Sequence, residues 1–221
     1  MVSRRQILKR ATLGVGGIAA AGIGWQFRPI LPPDAPPDQP LAAGDGPTLL
    51  VAYGSMMGST GGQAAWIAAA ARARGYRVQL SRIETAPAPD SFDAVVLGSA
   101  IRASAWLPEV TEWAAAQEAA LAGRKLGLFQ SSMTCAGMLR GNRGAALTAD
   151  QRARLRGDCD SLFTAAPSLA GSEVAFFPGR LDFARLSPVL RIGYPVVSGS
   201  LMTGDYRDRA RVESWAQTIT G

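Results

Sequence analysis

Four short, almost wholly apolar runs, each followed by a polar or glycine-bearing break, constrain this chain more than any other feature. They are residues 48–53 (TLLVAY), 93–97 (DAVVL), 124–129 (RKLGLF) and 173–177 (EVAFF), and residues 76–80 (YRVQL) form a fifth, weaker candidate. A strand with one wet face alternates apolar and polar residues, whereas a strand covered on both faces reads as a near-continuous apolar run. The segments between them carry helical spacing. Trp66, Ile67, Ala70 and Ala71 fall on one face of a helix expected to begin near Ser59 or Thr60 and to stop at Gly75. Pro108 suits a helix N1 position ahead of a helix running to Leu121, and Thr148-Ala149-Asp150-Gln151 is a capping box for a helix expected to reach about Ala165. Residues 130–147 read as a long polar, glycine-rich loop, and Asp205 is the expected cap of a last helix bearing Val212, Trp215, Ala216 and Ile219. Five buried strands separated mostly by helices predict an α/β fold with a doubly wound, five-stranded parallel sheet. In such sheets ligands sit outside the carboxyl ends of the strands, so the loops after the first, third and fourth strands are the places to look.

The chemistry open to the chain is narrow. It contains no histidine, which removes Ser-His-Asp triads, imidazole bases and His-ligated metals. Its two cysteines, Cys135 and Cys159, have no zinc spacing, although they could pair in an oxidising compartment. Four of the positive charges behind the net +6, Arg4, Arg5, Lys9 and Arg10, sit in the first ten residues, and the arginines of the rest of the chain are scattered without interleaved aromatics. That is not the pattern of a nucleic-acid-binding surface.

Ser3-Arg4-Arg5-Gln6-Ile7-Leu8-Lys9 resembles a twin-arginine export signal, with Ile7 where phenylalanine is commonest. The Gly- and Ala-rich apolar run at residues 11–25 is shorter than the about 20 residues of an ordinary spanning helix, with a plain N-terminal anchor as the other reading. Either way the cationic start stays on the cytoplasmic side and the rest lies outside, a periplasmic location attached to the cytoplasmic membrane. The expected organisation is a signal or anchor at 1–28, a proline-rich semi-rigid spacer at 29–47, and one domain at 48–221 with an insertion at 178–204.

Gly54-Ser55-Met56-Met57-Gly58-Ser59-Thr60 lies between a strand and a helix N-terminus, where orphan amides and the helix dipole favour an anion. It lacks both the Walker lysine and a G-x-G-x-x-G pattern, so a phosphate there would be held by amides and hydroxyls alone. The segment resembles the flavodoxin phosphate loop S/T-x-T-G-x-T, matching at Ser55, Gly58 and Thr60 and departing at Met57. The resemblance implies strand order 2-1-3-4-5 and an FMN cofactor. Residues 93–102 (DAVVLGSAIR) are similar to the D-x-V-V-I-G-x-S-I-R segment of menaquinone-dependent protoporphyrinogen dehydrogenases, a flavodoxin-like branch.

By that resemblance Ser99, Ala100, Ile101, Arg102 and Trp106, with Ser131, Ser132, Met133, Thr134 and Cys135, would surround the isoalloxazine ring, while Met56 and Ser59 complete the phosphate loop. A flat ring needs apolar faces, for which Trp106 and Met133 are candidates, and polar atoms at its edge, for which Ser131, Ser132 and Thr134 are candidates. Trp106 could equally staple the next helix, Cys135 could be a small buried thiol, and Arg102 could be a surface charge or a cation that raises the flavin potential. The insertion carries Leu186, Val189, Leu190, Tyr194 and Val197 at helical spacing beside Arg185 and Arg191, interrupted by Pro188 and Pro195. It would cover a site, dock a partner, touch membrane or shield a sheet edge. The expected activity is FMN-dependent electron transfer or oxidoreduction, coupled to a quinone or a protein redox partner. An exported site would be separated from cytoplasmic haem synthesis, which argues against protoporphyrinogen as the substrate. The rival expectation is a cofactor-less module that docks a protein through the insertion.

Overall fold

The structure, a computed structural model, describes residues 36–142, 144–185 and 203–221. The segment expected to be a twin-arginine signal, the apolar run and most of the insertion lie outside the described residues. The chain divides into two compact units, residues 1–31 with 183–201 and residues 32–182 with 202–221. Of the first, only the 3-10 turn Phe183–Arg185 is described. Among the described residues no helix is long and apolar enough to cross a membrane.

The larger unit is the expected α/β fold. Its parallel sheet comprises β1 (Thr48–Gly54), β2 (Arg77–Arg82), β3 (Ala94–Arg102), β5 (Lys125–Ser132) and β6 (Val174–Pro178) in the order β2-β1-β3-β5-β6. The two-residue β4 (Ala105–Trp106) folds back antiparallel on β3. Counting the five parallel strands alone, this is the 2-1-3-4-5 order expected from the sequence. Along β1, Leu49, Val51 and Tyr53 face one layer and Leu50 and Ala52 the other. The first layer is α1 (Ser59–Ala73) with α7 (Arg209–Thr220), which bury Ile67, Ala68, Val212 and Ala216. The second holds α2 (Pro108–Ala116), α3 (Glu118–Leu121) and α6 (Asp160–Ala165), which bury Val110, Leu121 and Leu162. Both faces of the sheet are therefore dry, the condition that the continuous apolar runs satisfy.

Several boundaries differ from the expectation for identifiable reasons. Gly98 does not end β3: it pairs directly with Phe129 of β5, and a Cβ there would lie 2.2 Å from that ring. The missing side chain makes room for the neighbour, and the strand continues to Arg102. The segment taken for loop after residue 130 begins as strand to Ser132 and then forms α4 (Met133–Met138), whose first turn is capped by Ser132 Oγ accepting from Cys135 N at 3.1 Å. The Thr148 capping box is present in α5 (Ala149–Gly157), but the helix stops short of Ala165. The side-chain amide of Gln130 donates to the Leu155 carbonyl at 3.1 Å, a competing partner at the place where the ladder breaks. The cap of α7 is Asp208, accepting from Arg211 N at 3.1 Å, while Asp205 lies in a small ribbon of β7 (Arg180–Leu181) and β8 (Gly204–Asp205) and pairs with Arg207.

The spacer also departs from its expected role. Residues 36–47 lie as a strap along the free edge of β2. Gln39 and Leu80 exchange both main-chain bonds, at 2.8 and 2.9 Å, and Arg77 Nε donates to the Ala42 carbonyl at 2.8 Å. Asp38 accepts from Arg82 N at 2.9 Å and from the Thr85 hydroxyl, and Tyr53 donates to the Pro36 carbonyl at 3.1 Å. The strap thus runs antiparallel to β2, with Asp38 at the carboxyl end and Ala42 at the amino end. An uncovered edge strand presents unpaired amides and carbonyls, and a proline-bearing strap satisfies some of them while offering little template for further pairing.

Candidate functional site

The sheet register assembles the site. Gly54 of β1 lies opposite Ser99 of β3, Ser99 opposite Gln130 of β5, Ala100 opposite Ser131, and Ser132 opposite Pro178 of β6. The segments 54–60, 99–102 and 130–135 consequently emerge along one carboxyl edge. Because β2 and β3 lie on opposite sides of β1, the chain changes direction there and leaves a crevice.

The loop after β1 has the geometry of a strand–turn–helix start, where main-chain amides converge. Gly58 stands before α1 with φ 87°, a left-handed conformation that costs other L residues about 1–2 kcal/mol. Ser55 Oγ accepts from Gly58 N at 3.0 Å, which tightens the turn. No side chain caps α1, so its first amides and the positive end of its dipole face the loop. The Thr60 hydroxyl on the first turn is fully buried and has no hydrogen-bond partner in the structure. A buried hydroxyl left unpaired costs about 1–3 kcal/mol, which marks Thr60 as a donor available to a ligand. Ser59 Oγ meets Ser131 Oγ at 3.3 Å and ties the loop to β5.

Sequence reasoning missed the corner after β6. Gln63 Nε2 donates to the Pro178 carbonyl at 2.8 Å, and Gly179 N donates to the Ser132 carbonyl at 3.0 Å. Arg180, the next residue, reaches the loop and donates from Nη2 to the Met57 carbonyl at 3.3 Å. A basic side chain therefore lies beside the loop, although residues 54–60 themselves carry none. The only signal in sequence was a Pro-Gly-Arg immediately after an apolar run, and a distance of 123 residues hid its destination.

The ring-side candidates separate into two groups. Ser131 lies in the row along the carboxyl edge, Met56, Met57, Ile101, Arg102 and Met133 are half-buried, and Thr134 is exposed. The Ser99 hydroxyl is turned inward, donating to the Ala100 carbonyl at 2.7 Å and accepting from Leu107 N at 3.0 Å. Trp106 presents no ring face: it is 2 % exposed, and its indole N–H donates to Gln130 Oε1 at 3.1 Å. The β3–β4 hairpin folds it back on Ile101 through Ala103 and Ser104, both at positive φ, 51° and 57°. Cys135 is wholly buried among Leu139, Leu147 and Leu155, and both cysteines are free thiols. Arg102 stays at the strand end beside the exposed hairpin tip.

Burial pushes the Cys135 and Cys159 thiols up from 9.0 to about 12. Each stays neutral in the folded chain where its unfolded counterpart ionises. Stability from these groups is therefore complete below pH about 9 and falls as the pH rises from there towards about 12. We expect the denaturant midpoint to decline steadily between pH 8.5 and 10.5, and the native protein to be inert to a thiol reagent at pH 8. Rapid labelling of the native state would contradict this.

A family model described as the flavodoxin domain matches residues 50–197. No curated protein matches the sequence. Solved structures similar to the chain include oxidised flavodoxin 2 from Bacillus cereus, at 18 % identity over 78 % of this chain and 97 % of that one, with a TM-score of 0.46. The flavodoxin of Streptococcus pneumonia TIGR4 is 17 % identical over 78 % and 97 %, with a TM-score of 0.45. Two-electron reduced Megasphaera elsdenii flavodoxin is 21 % identical over 76 % and 98 %, with a TM-score of 0.40.

Proposed function

The chain belongs to the flavodoxin-domain family, and from that membership and the loop geometry we propose that it is an exported FMN-binding electron-transfer protein or oxidoreductase, exchanging electrons with a quinone or a protein redox partner. The observation that carries this reading is the loop Gly54 to Thr60, in which a left-handed glycine, an uncapped 15-residue helix and an unpaired buried hydroxyl converge at the crevice of the sheet. The residues present fit the phosphate end of FMN: Ser55, Gly58, Ser59 and Thr60 would hold it with main-chain amides and hydroxyls. At the ring end, Met56, Ile101 and Met133 supply half-buried apolar surface and the strand ends supply main-chain polar groups.

When bound, the flavin supplies the electron transfer itself, and the protein binds, orients and tunes it. Positioning falls to the strand ends, whose register fixes three segments in one row. Exclusion of water falls to the methionines and the hairpin tip. Quinone as the exchange partner is favoured by the likeness of residues 93–102 to menaquinone-dependent dehydrogenases, and export by the twin-arginine likeness of residues 3–9. Pro36 and Asp38 lie at the carboxyl end of β2, so the chain enters the domain on the edge that bears the loop.

The test is direct. The full chain purified in mild detergent is expected to be yellow, to bind added FMN after stripping, and to be reoxidised by a menaquinone analogue after reduction. A colourless, well-folded protein that gives no heat on titration with FMN would favour the cofactor-less docking module instead.

A further inference from the structure

We propose that the bare edge of β6 is a self-association surface, on which a second copy of this chain pairs antiparallel around a two-fold axis at Ala175. The inference does not depend on a bound flavin and concerns the edge of the sheet opposite the strap.

β6 is the outermost strand on its side of the sheet, and among the described residues it pairs with β5 alone. The register fixes which of its main-chain groups point away. Gly179 N donates to the Ser132 carbonyl at 3.0 Å, and Ser132 lies opposite Pro178. By the alternation of a parallel ladder, Ala175 and Phe177 then turn their polar groups to β5, while Val174 and Phe176 turn theirs outward. Pro178, next in the outward row, has no N–H, and its carbonyl is taken by Gln63 Nε2 at 2.8 Å. The open part of the edge is therefore Val174 and Phe176, neither of which has an outward main-chain partner among the described residues. This row is self-complementary. Turned around an axis through Ala175, Val174 of one copy faces Phe176 of the other, and each facing pair exchanges both main-chain bonds.

The surroundings suit the same occupant. A groove of about 560 Å³ runs beside the edge, walled by Leu147, Arg152, Arg211 and Trp215. Val174, Ala175, Phe176 and Trp215 are only half-buried, so apolar surface and unpaired main chain coincide there. Charge favours a second copy over an unrelated strand. Arg156 donates to the Ser172 and Ala170 carbonyls, ahead of β6, so α5 runs against the strand. Arg152, one turn earlier, consequently stands towards the carboxyl end of β6, and Glu173 stands at its amino end. Both are exposed and make no ion pair among the described residues. The two-fold reverses one copy against the other and carries Arg152 of each towards Glu173 of the other. Arg211 and Asp208 already face each other within one copy at 3.9 Å, so the rest of the groove brings no unbalanced charge to the contact.

Sedimentation of the full chain in mild detergent is expected to give a dimer, with or without added FMN. Val174→Pro removes an outward N–H and leaves the ladder to β5 whole, because Ala175 and Phe177 make those bonds. It should weaken the dimer about 10- to 100-fold, the size of the pair of donors lost across the axis, while the domain still unfolds cooperatively. Ala175→Cys gives an independent check. Residues on the axis form a non-hydrogen-bonded pair with Cα atoms about 4.5 Å apart, inside the range of a disulfide, so a mild oxidant should link the two copies. Ala119→Cys, exposed on α3, should stay unlinked, and the native Cys135 and Cys159 are buried. A monomeric parent, a dimer of unchanged affinity in Val174→Pro, or an Ala175→Cys chain that links no better than Ala119→Cys each overturns the proposal.

Discussion

Gln130→Leu lowers the unfolding free energy by about 3–5 kcal/mol, the largest single-residue effect we expect in this molecule. Gln130 is wholly buried at the carboxyl end of β5, and each end of its amide is occupied. Oε1 accepts from Trp106 Nε1 at 3.1 Å and from Cys159 Sγ at 3.3 Å, while Nε2 donates to the Leu155 carbonyl at 3.1 Å and to Asp158 at 3.3 Å. Leucine fills the volume and abandons the partners. The indole N–H and the Asp158 carboxylate would then be left short of a partner where water cannot replace it, and burial already pushes the Asp158 carboxyl above its ordinary range despite the bond from Gln130. Urea denaturation at pH 7 measures the effect. Combining Gln130→Leu with Trp106→Phe should cost less than the two singles added, because the second change removes a donor that the first had orphaned. Strict additivity, or a loss below about 1 kcal/mol, would show that the network is not coupled.

Deleting residues 36–45 from the full chain costs about 3 kcal/mol and makes the protein associate. The strap contributes the paired Gln39–Leu80 main-chain bonds and the side-chain contacts of Asp38, Tyr53 and Arg77, each worth about 1 kcal/mol net, set against the entropy of ordering it. A melting temperature lower by about 6–12 °C follows for a domain of this size. The bared edge of β2 then offers a template for strand addition, so light scattering should rise with protein concentration in the deletion and not in the parent. Asp38→Ala, which loses the contacts to Arg82 N and Thr85 while keeping the main-chain bridge, should be destabilised without associating. A deletion as stable and as monodisperse as the parent would refute the covering role.

The class of fold was readable because burial on both faces leaves its mark on composition: DAVVL and TLLVAY have no solvent side to encode. The strand–turn–helix geometry of residues 54–60 was readable for a related reason, since it is local and lies in seven consecutive residues. What could not be read was non-local. Gly98 looks like a terminator until Phe129 is known to lie beside it, and an alanine-rich helix from Pro108 gives no hint that it breaks at Gln117. Trp106 illustrates the same limit. Its place after a strand suited a stacking face, yet two residues of positive φ reverse the chain and bury the indole against Gln130. Arg180 and the strap depend on partners 123 and about 40 residues away, which no local pattern records.

The antiparallel course of the strap decides how the domain meets a mechanical load. Tension applied at Pro36 along the strap's own axis would load the bonds at Asp38, Gln39 and Ala42 together in shear instead of parting them one at a time. Because Tyr53 of β1 donates to the Pro36 carbonyl, part of that load would pass directly to β1, next to the crevice at Gly54.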